Sequence, residues 1–352
     1  MSERTMMKGN EAIGLGAIYA GCRYYYGYPI TPQTELLEYM ARRLPELEGV
    51  YLQSESEVAG INMVYGTAST GERVMTSSSS PGISLMQEGI SFLASAELPA
   101  VIVNVSRAGP GLGRVSPAQS DYFQATKGGG HGDYHLPVFT PASVQEMFSL
   151  TIRAFDVADE YRTPVMILAD AIGGQMMESF NLPDDYKPQV HANFWAINAE
   201  DKRERRQILS APYTDDDLIQ LNKHLQAKYQ LITQKETSWQ EEFLDEAEIV
   251  VAAFGTSARI AEAAVDEARA RGWQVGLIRP ITVWPFPFAP FEKIKDKAPD
   301  VLVVEMNEGQ MLEDVQLAMG GQGTVHFLGG GGGKVPNVQE VLDRIESIRK
   351  GR

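Results

Sequence analysis

A chain of 352 residues is long enough for two domains of ordinary size. With 43% hydrophobic and 22% charged residues it can bury a core, while a net charge of -15 speaks against a nucleic-acid partner, which needs a clustered basic face. One cysteine, Cys22, leaves no internal disulfide, zinc ribbon or cluster-binding cysteine set, and no apolar run is long enough to span a bilayer. The stretch Met1 to Gly9 lacks the apolar core of a signal peptide, so a cytoplasmic location without nucleic-acid or membrane partners is expected. Asn10 opens a helical pattern that stops at Gly21. A strand at Arg23 to Tyr28 ends at Pro29-Ile30-Thr31-Pro32, and the second proline suits the first turn of a helix over Thr34 to Leu44. A strand ending in Gln53-Ser54-Glu55-Ser56-Glu57 precedes a helix from Val58 to Ser69. The strand Val74 to Ser77 leads into Ser78-Ser79-Ser80-Pro81-Gly82 and a helix from Ile83. Next comes a strand over Ala100 to Val105, with Arg107 just beyond it. In an open parallel sheet such strand ends share one edge, the edge that binds ligands.

From Gly109 to His135 the chain is rich in glycine and has no clear period, which marks a working loop rather than a plain connection. Ser143-Val144-Gln145-Glu146 fits a capping box opening a helix to about Tyr161, and Pro164 to Asp170 reads as a buried parallel strand. Between Ile172 and Leu244 an exposed connection is expected: linker at Asn181 to Asp185 and Tyr186 to Pro188, helix-compatible stretches at Asp201 to Arg206 and Asp215 to Gln230. A second alternating unit follows, with strands at Ile249 to Ala253, Gln274 to Arg279, Val301 to Glu305 and Thr324 to Leu328, and helices at Ala258 to Arg271 and from Asn337. Two α/β domains joined by a linker is the architecture expected.

Several motifs fail their sharper readings. The run Gly329 to Gly333 with Lys334 is no phosphate loop, because Val335 stands where Ser or Thr is needed and Leu328 where a glycine is needed. Gly109-Pro110-Gly111-Leu112-Gly113 has the wrong spacing for a dinucleotide fingerprint. His131 and His135 have metal-pair spacing, but flanking glycines speak against a helix; a loop histidine touching substrate or solvent is expected, and no metal ligand is assigned. Ser77 to Ser80 lack the frame of a nucleophilic serine and read as a polar turn whose backbone and hydroxyls line a cofactor site. Glu57 begins a helix, where a carboxylate stabilises the N-terminus, and Glu55 competes for the same role. Arg107 has a plain salt-bridge role open to it. Thr31, Glu57, the serine tract and Arg107 nevertheless all follow strands of one inferred sheet, which makes them candidate site residues.

Tyr28-Pro29-Ile30-Thr31-Pro32, Gln53 to Glu57, Ser79 to Glu88 and Arg107-Ala108-Gly109-Pro110 resemble the alpha subunit of the 2-oxoacid:ferredoxin oxidoreductases, the pyruvate:ferredoxin oxidoreductase-like family. Ile278 to Pro287 and Val303 to Gln310 agree with its second domain. The resemblance implies an α/β fold with a pyrimidine-type thiamine-diphosphate-binding parallel-sheet domain over residues 1–175. A linker with helical segments over 176–245 and a transketolase C-terminal-like α/β domain over 246–352 would follow. On this mapping Glu57 would hydrogen-bond N1′ of the cofactor's aminopyrimidine and favour the imino form that removes the C2 proton. Pro29, Ile30, Ser79, Ser80, Pro81 and Gly82 would line the cofactor, and Thr31 and Arg107 would bind the substrate carboxylate.

Family enzymes hold the diphosphate through Mg²⁺ at a Gly-Asp-Gly motif, which this chain lacks: Gly132-Asp133 is followed by Tyr134. The resemblance therefore implies half an active site, inactive alone. Thiamine diphosphate would be shared with a beta subunit carrying the diphosphate and Mg²⁺, and iron-sulfur clusters would sit on gamma and ferredoxin-like delta subunits, none on this chain. Coenzyme A, ferredoxin and a 2-oxoacid are the implied reactants of an oxidative decarboxylation. Ser120 to Tyr134 looks most like the members acting on 2-oxoisovalerate (3-methyl-2-oxobutanoate). The 2-oxoglutarate type is the alternative, and its second carboxylate would want a further cation, from Lys127 or Arg114. A non-catalytic scaffold subunit and a nicotinamide-dependent dehydrogenase using the glycine loops are the readings from other classes.

Overall fold

The structure, a computed structural model, describes residues 4–183, 188, 193–197 and 206–351. Strand β1 (Arg4–Lys8) and helix α1 (Gly9–Tyr19) lead into β2 (Tyr24–Gly27), α2 (Thr34–Glu46), β3 (Val50–Gln53), α3 (Glu57–Ser69), β4 (Val74–Ser78) and α4 (Pro81–Ser95). Then come β5 (Ala100–Ala108), β6 (Arg114–Pro117), α5 (Tyr122–Thr126), β7 (Val138–Phe139), α6 (Val144–Tyr161), β8 (Pro164–Asp170) and α7 (Ala171–Gln175). The connection carries β9 (Met177–Asn181), α8 (Asp215–Glu236) and β10 (Trp239–Glu242). The last part holds β11 (Ile249–Ala253), α9 (Gly255–Ala270), β12 (Val275–Pro280), β13 (Thr282–Trp284), α10 (Ala289–Lys295), β14 (Asp300–Val304), α11 (Gln310–Met319), β15 (Thr324–Leu328) and α12 (Val338–Gly351). Among the described residues no helix is long and apolar enough to cross a membrane.

The larger sheet runs β13-β7-β8-β5-β4-β2-β3, with β7 through β3 parallel. At its centre every residue of β5 and β8 is buried, as expected of strands covered on both faces. The smaller sheet runs β10-β12-β11-β14-β15 and is parallel except for β10. Its β12 edge is covered by β10, from the connection, while β13, from the last part of the chain, pairs antiparallel with β7 of the larger sheet. Each sheet thus borrows an edge from across the chain.

Three features differ from expectation. Arg107 lies within a strand rather than beyond it, because β6 pairs antiparallel with the end of β5 and sets Arg107 opposite Pro117. Consequently the supposedly irregular stretch from Gly109 to His135 contains a hairpin strand and the helix α5. At the N-terminus, β1 pairs with β9 in a separate two-stranded sheet that neither segment's pattern announces. Of the expected connection, helix α8 is present; linker residues Asp184 to Lys187 and the helix-compatible Asp201 to Arg205 lie outside the described residues.

Gln119 joins the two sheets. Its side-chain amide donates to the Phe254 carbonyl at 2.8 Å, and its side-chain oxygen accepts from Ser257 Oγ at 2.7 Å and from the Met306 N–H at 3.1 Å. Its backbone N–H donates to the Met306 carbonyl and its own carbonyl accepts from Asn307 Nδ2, both at 2.9 Å. Nearby, at the end of β14, the buried Glu305 carboxylate accepts from the N–H groups of Met311 and Leu312 at 2.9 and 3.0 Å and from Asn307 Nδ2 at 2.8 Å. Burial outweighs these bonds and pushes its pKa from 4.5 up to about 7.

Two outcomes follow. Gln119→Ala strands three buried partners and should lower the unfolding free energy by about 3 kcal/mol in urea titrations. For Glu305 the folded value lies above the unfolded one, so its contribution is complete below pH 4.5 and is lost as pH rises through about 7. Between those limits the stability of Glu305→Gln should fall less steeply than wild type, by up to about 1.4 kcal/mol per pH unit.

Candidate active site

Strands β5, β4, β2 and β3 are parallel neighbours, so their C-terminal ends lie along one edge of the larger sheet. That edge carries Thr31 after β2, Glu57 after β3, the serine tract after β4 and Arg107 near the end of β5. Ser56 caps α3, its Oγ accepting from the Ala59 N–H at 3.2 Å, and so fixes Glu57 as the first helical residue. Glu57 is only 5% exposed, whereas its competitor Glu55 faces solvent. Among the described residues the one hydrogen bond to the Glu57 carboxylate comes from Ser78 Oγ, at a long 3.4 Å. A buried carboxylate so thinly satisfied has acceptor capacity to spare. Gly82 lets the first turn of α4 pack this close to the carboxylate: a Cβ there would stand 2.5 Å from Glu57 Oε1 and 2.0 Å from Ser78 Oγ.

Arg107, 7% exposed, is held by main chain: Nη1 donates to the Thr31 carbonyl at 3.0 Å and Nη2 to the Leu112 carbonyl at 2.8 Å. Its Nε is buried without a partner, and Nη1 and Nη2 each keep one further N–H for a ligand. Thr31 and Arg107 therefore meet, but through the Thr31 carbonyl, since the Thr31 side chain is exposed. Pro29 is exposed and Ile30 half-buried on the same loop. In the serine tract Ser79 is buried with its Oγ unpartnered, and Pro81 occupies the first turn of α4.

Ser80 has φ +24°, a conformation that a non-glycine residue adopts only when its surroundings impose it. The surroundings are Asn104 and Asp121. The Ser80 N–H donates to Asn104 Oδ1 at 3.1 Å, and Ser80 Oγ donates to Asp121 Oδ2 at 2.6 Å while accepting the Arg107 N–H at 3.0 Å. Asn104 Nδ2 also donates to Asp121 Oδ2, at 2.9 Å. Burial raises the Asp121 pKa against the lowering effect of these bonds. Sequence reasoning missed both residues as site members; the signals available were an asparagine inside an apolar strand and an aspartate just before a buried tyrosine.

Beside Arg107 lies a cleft of about 350 Å³ whose far wall comes from the smaller sheet, through Asn307, Glu308, Gln310 and the glycine run. The run is not free to cradle a phosphate, because the Gly331 N–H already donates to Glu308 Oε1 at 2.6 Å. It also packs on the hairpin: a Cβ at Gly333 would stand 2.6 Å from Ser116 Cβ. His131 is exposed, while His135, expected to face substrate or solvent, stacks on Trp284 with ring centroids 4.7 Å apart and packs edge-on against Tyr229. Burial lowers its pKa.

Residues 15–243 match the family described as pyruvate flavodoxin/ferredoxin oxidoreductase, thiamine diP-binding, and residues 247–341 match pyruvate:ferredoxin oxidoreductase core domain II. The chain is 48% identical to the ketoisovalerate oxidoreductase subunit VorB of Methanothermobacter thermautotrophicus over 97% of each chain. It is 38% identical to the 2-oxoglutarate synthase subunit KorA of the same organism, over 99% of this chain and all of that one. Among solved structures, the 2-oxoglutarate:ferredoxin oxidoreductase of Magnetococcus marinus superposes with a TM-score of 0.87 at 25% identity, over 98% of this chain and 65% of that one. The two sheets accordingly form a thiamine-diphosphate-binding domain and a transketolase C-terminal-like domain. Strand order, the buried carboxylate at the sheet edge and these likenesses agree: the chain belongs to the 2-oxoacid:ferredoxin oxidoreductase family, as an alpha-type subunit.

Proposed function

We propose that this subunit contributes the aminopyrimidine and substrate-carboxylate side of a shared thiamine diphosphate site. There a 2-oxoacid, 2-oxoisovalerate in our reading, and coenzyme A yield an acyl-coenzyme A and CO₂, with two electrons passing to ferredoxin. The observation that carries the reading is the Glu57 carboxylate, buried at the sheet edge with one weak hydrogen bond and close against a glycine at position 82. Those features fit a weakly basic ring nitrogen that shares a proton with the carboxylate. Bound thiamine diphosphate supplies a nucleophilic carbon that adds to the keto group and accepts the electron pair released with CO₂.

Glu57 holds the proton at the ring nitrogen, and the low exposure around it keeps water from competing. In this reading Pro29, Ile30 and Ser79 to Gly82 line the cofactor. Arg107 receives the substrate carboxylate on its unused N–H groups, already oriented by the Thr31 and Leu112 carbonyls, and so sets the keto carbon in place before bond breaking. In this reading residues 1–175 form the cofactor domain, 176–245 the connection and 246–352 the second domain. In the same reading a beta subunit carries the diphosphate and Mg²⁺, and gamma and ferredoxin-like delta subunits of a cytoplasmic complex carry the iron-sulfur clusters; the lack of a Gly-Asp-Gly motif and the single cysteine support it.

In the assembled complex Glu57→Ala should abolish deuterium exchange at the cofactor C2 position, followed by NMR, whereas Glu55→Ala should exchange at the wild-type rate. Wild-type exchange in the Glu57 variant would remove this residue from the proton path. Arg107→Ala should raise the apparent KM for the 2-oxoacid about 10- to 100-fold, the worth of a lost charged hydrogen bond, with the KM for coenzyme A unchanged.

A further inference from the structure

Resting on the reading above, we infer that Glu308 makes the cleft selective for 2-oxoacids with one carboxylate and rejects dicarboxylic ones such as 2-oxoglutarate. Charge inventory carries the argument. Of the described residues lining the cleft, Arg107 is the sole cation, and the other ionisable groups are the carboxyls of Asp121 and Glu308. The rest is apolar, small or neutral amide, and the amide nitrogens of Gln124, Asn307 and Gln310 already donate to Ser84 Oγ, to the Gln119 carbonyl and Glu305, and to the Ser120 carbonyl. Neither basic residue that might have met a second carboxylate is in place. Lys127 is ion-paired with Asp314 on α11, and Arg114 sits exposed on β6; neither lines the cleft.

Arg107 matches the first carboxylate of any 2-oxoacid. An apolar side chain then meets Pro110 and Leu112, while a second carboxylate finds no second cation and meets the Glu308 carboxylate. Glu308 cannot simply swing away without cost, because its Oε1 holds the Gly331 N–H at 2.6 Å and ties the glycine run to the rim. The cleft holds on the order of ten waters, too few to screen charges as bulk solvent does. Like charges about 8 Å apart at an effective dielectric constant of about 20 repel enough to cost roughly thirtyfold in binding.

The experiment uses the assembled complex and compares 2-oxoglutarate with 2-oxoisovalerate through the ratio of their kcat/KM values. A second readout is the rise in melting temperature each acid gives the complex freed of thiamine diphosphate. Glu308→Gln keeps an acceptor for Gly331 and should raise the dicarboxylate-to-monocarboxylate ratio roughly thirtyfold; Glu308→Lys should raise it further. The melting-temperature rise with 2-oxoglutarate should grow in the same order. A ratio unchanged in both variants, or a wild-type complex that prefers 2-oxoglutarate, overturns the role of Glu308. If Arg107→Ala still weakens both acids in that case, the carboxylate site survives and only the selectivity falls. If Arg107→Ala affects neither acid, the cleft is not the substrate site and both fall.

Discussion

Gln119 is buried with its backbone and side-chain polar atoms all bonded to groups of the second part of the chain, and the cleft beside Arg107 exists only while that connection holds. One wall is the β5–β6 hairpin; the other is the loop after β14 with the glycine run. A buried amide demands partners for its N–H and C=O groups, and here those partners are all supplied across the junction. Supporting bonds run the same way: Tyr122 OH donates to Asp314 at 2.6 Å, and Gln310 exchanges hydrogen bonds of 2.8 Å with Ser120 and Phe123. Directional bonds of this kind tolerate little sliding, so the width of the cleft is set by them rather than by apolar contact alone.

The larger sheet's edge is stiffened by a different device. Ser80 adopts a backbone conformation that costs on the order of 1–3 kcal/mol, offset by the bonds it donates to Asn104 and Asp121. Its strain places the first turn of α4 close against Glu57, where only a glycine at position 82 fits. Through the Arg107 N–H the same serine also anchors the strand that carries the guanidinium. Carboxylate and arginine are therefore two outputs of one turn.

Much of this was legible beforehand. Alternating apolar strands and helices of ordinary length exposed both α/β units, and the polar strand ends from Thr31 to Arg107 exposed the edge where they meet. Residues whose role depends on distant partners were not legible. Strands β1, β6 and β13 span three to five residues, too short to carry a period, and exist because β9, β5 and β7 offer unpaired edges. Asp121 and Glu308 sit in stretches where charge is unremarkable, and they matter because the fold sets them against Ser80 and Gly331. His135 keeps the expected loop position, half-buried, but its glycine-rich surroundings conceal an aromatic stack with Trp284.

The reciprocal borrowing of β10 and β13 bears on how such a gene can be divided. A break between the connection and the second domain would strip β12 of its neighbour β10, and the other fragment would lose β13 from the flank of β7. Each product would present unpaired N–H and C=O groups, the condition that invites strands of other molecules to add on. Fission at that point is thus penalised by aggregation, while fusion at either terminus leaves both sheets intact.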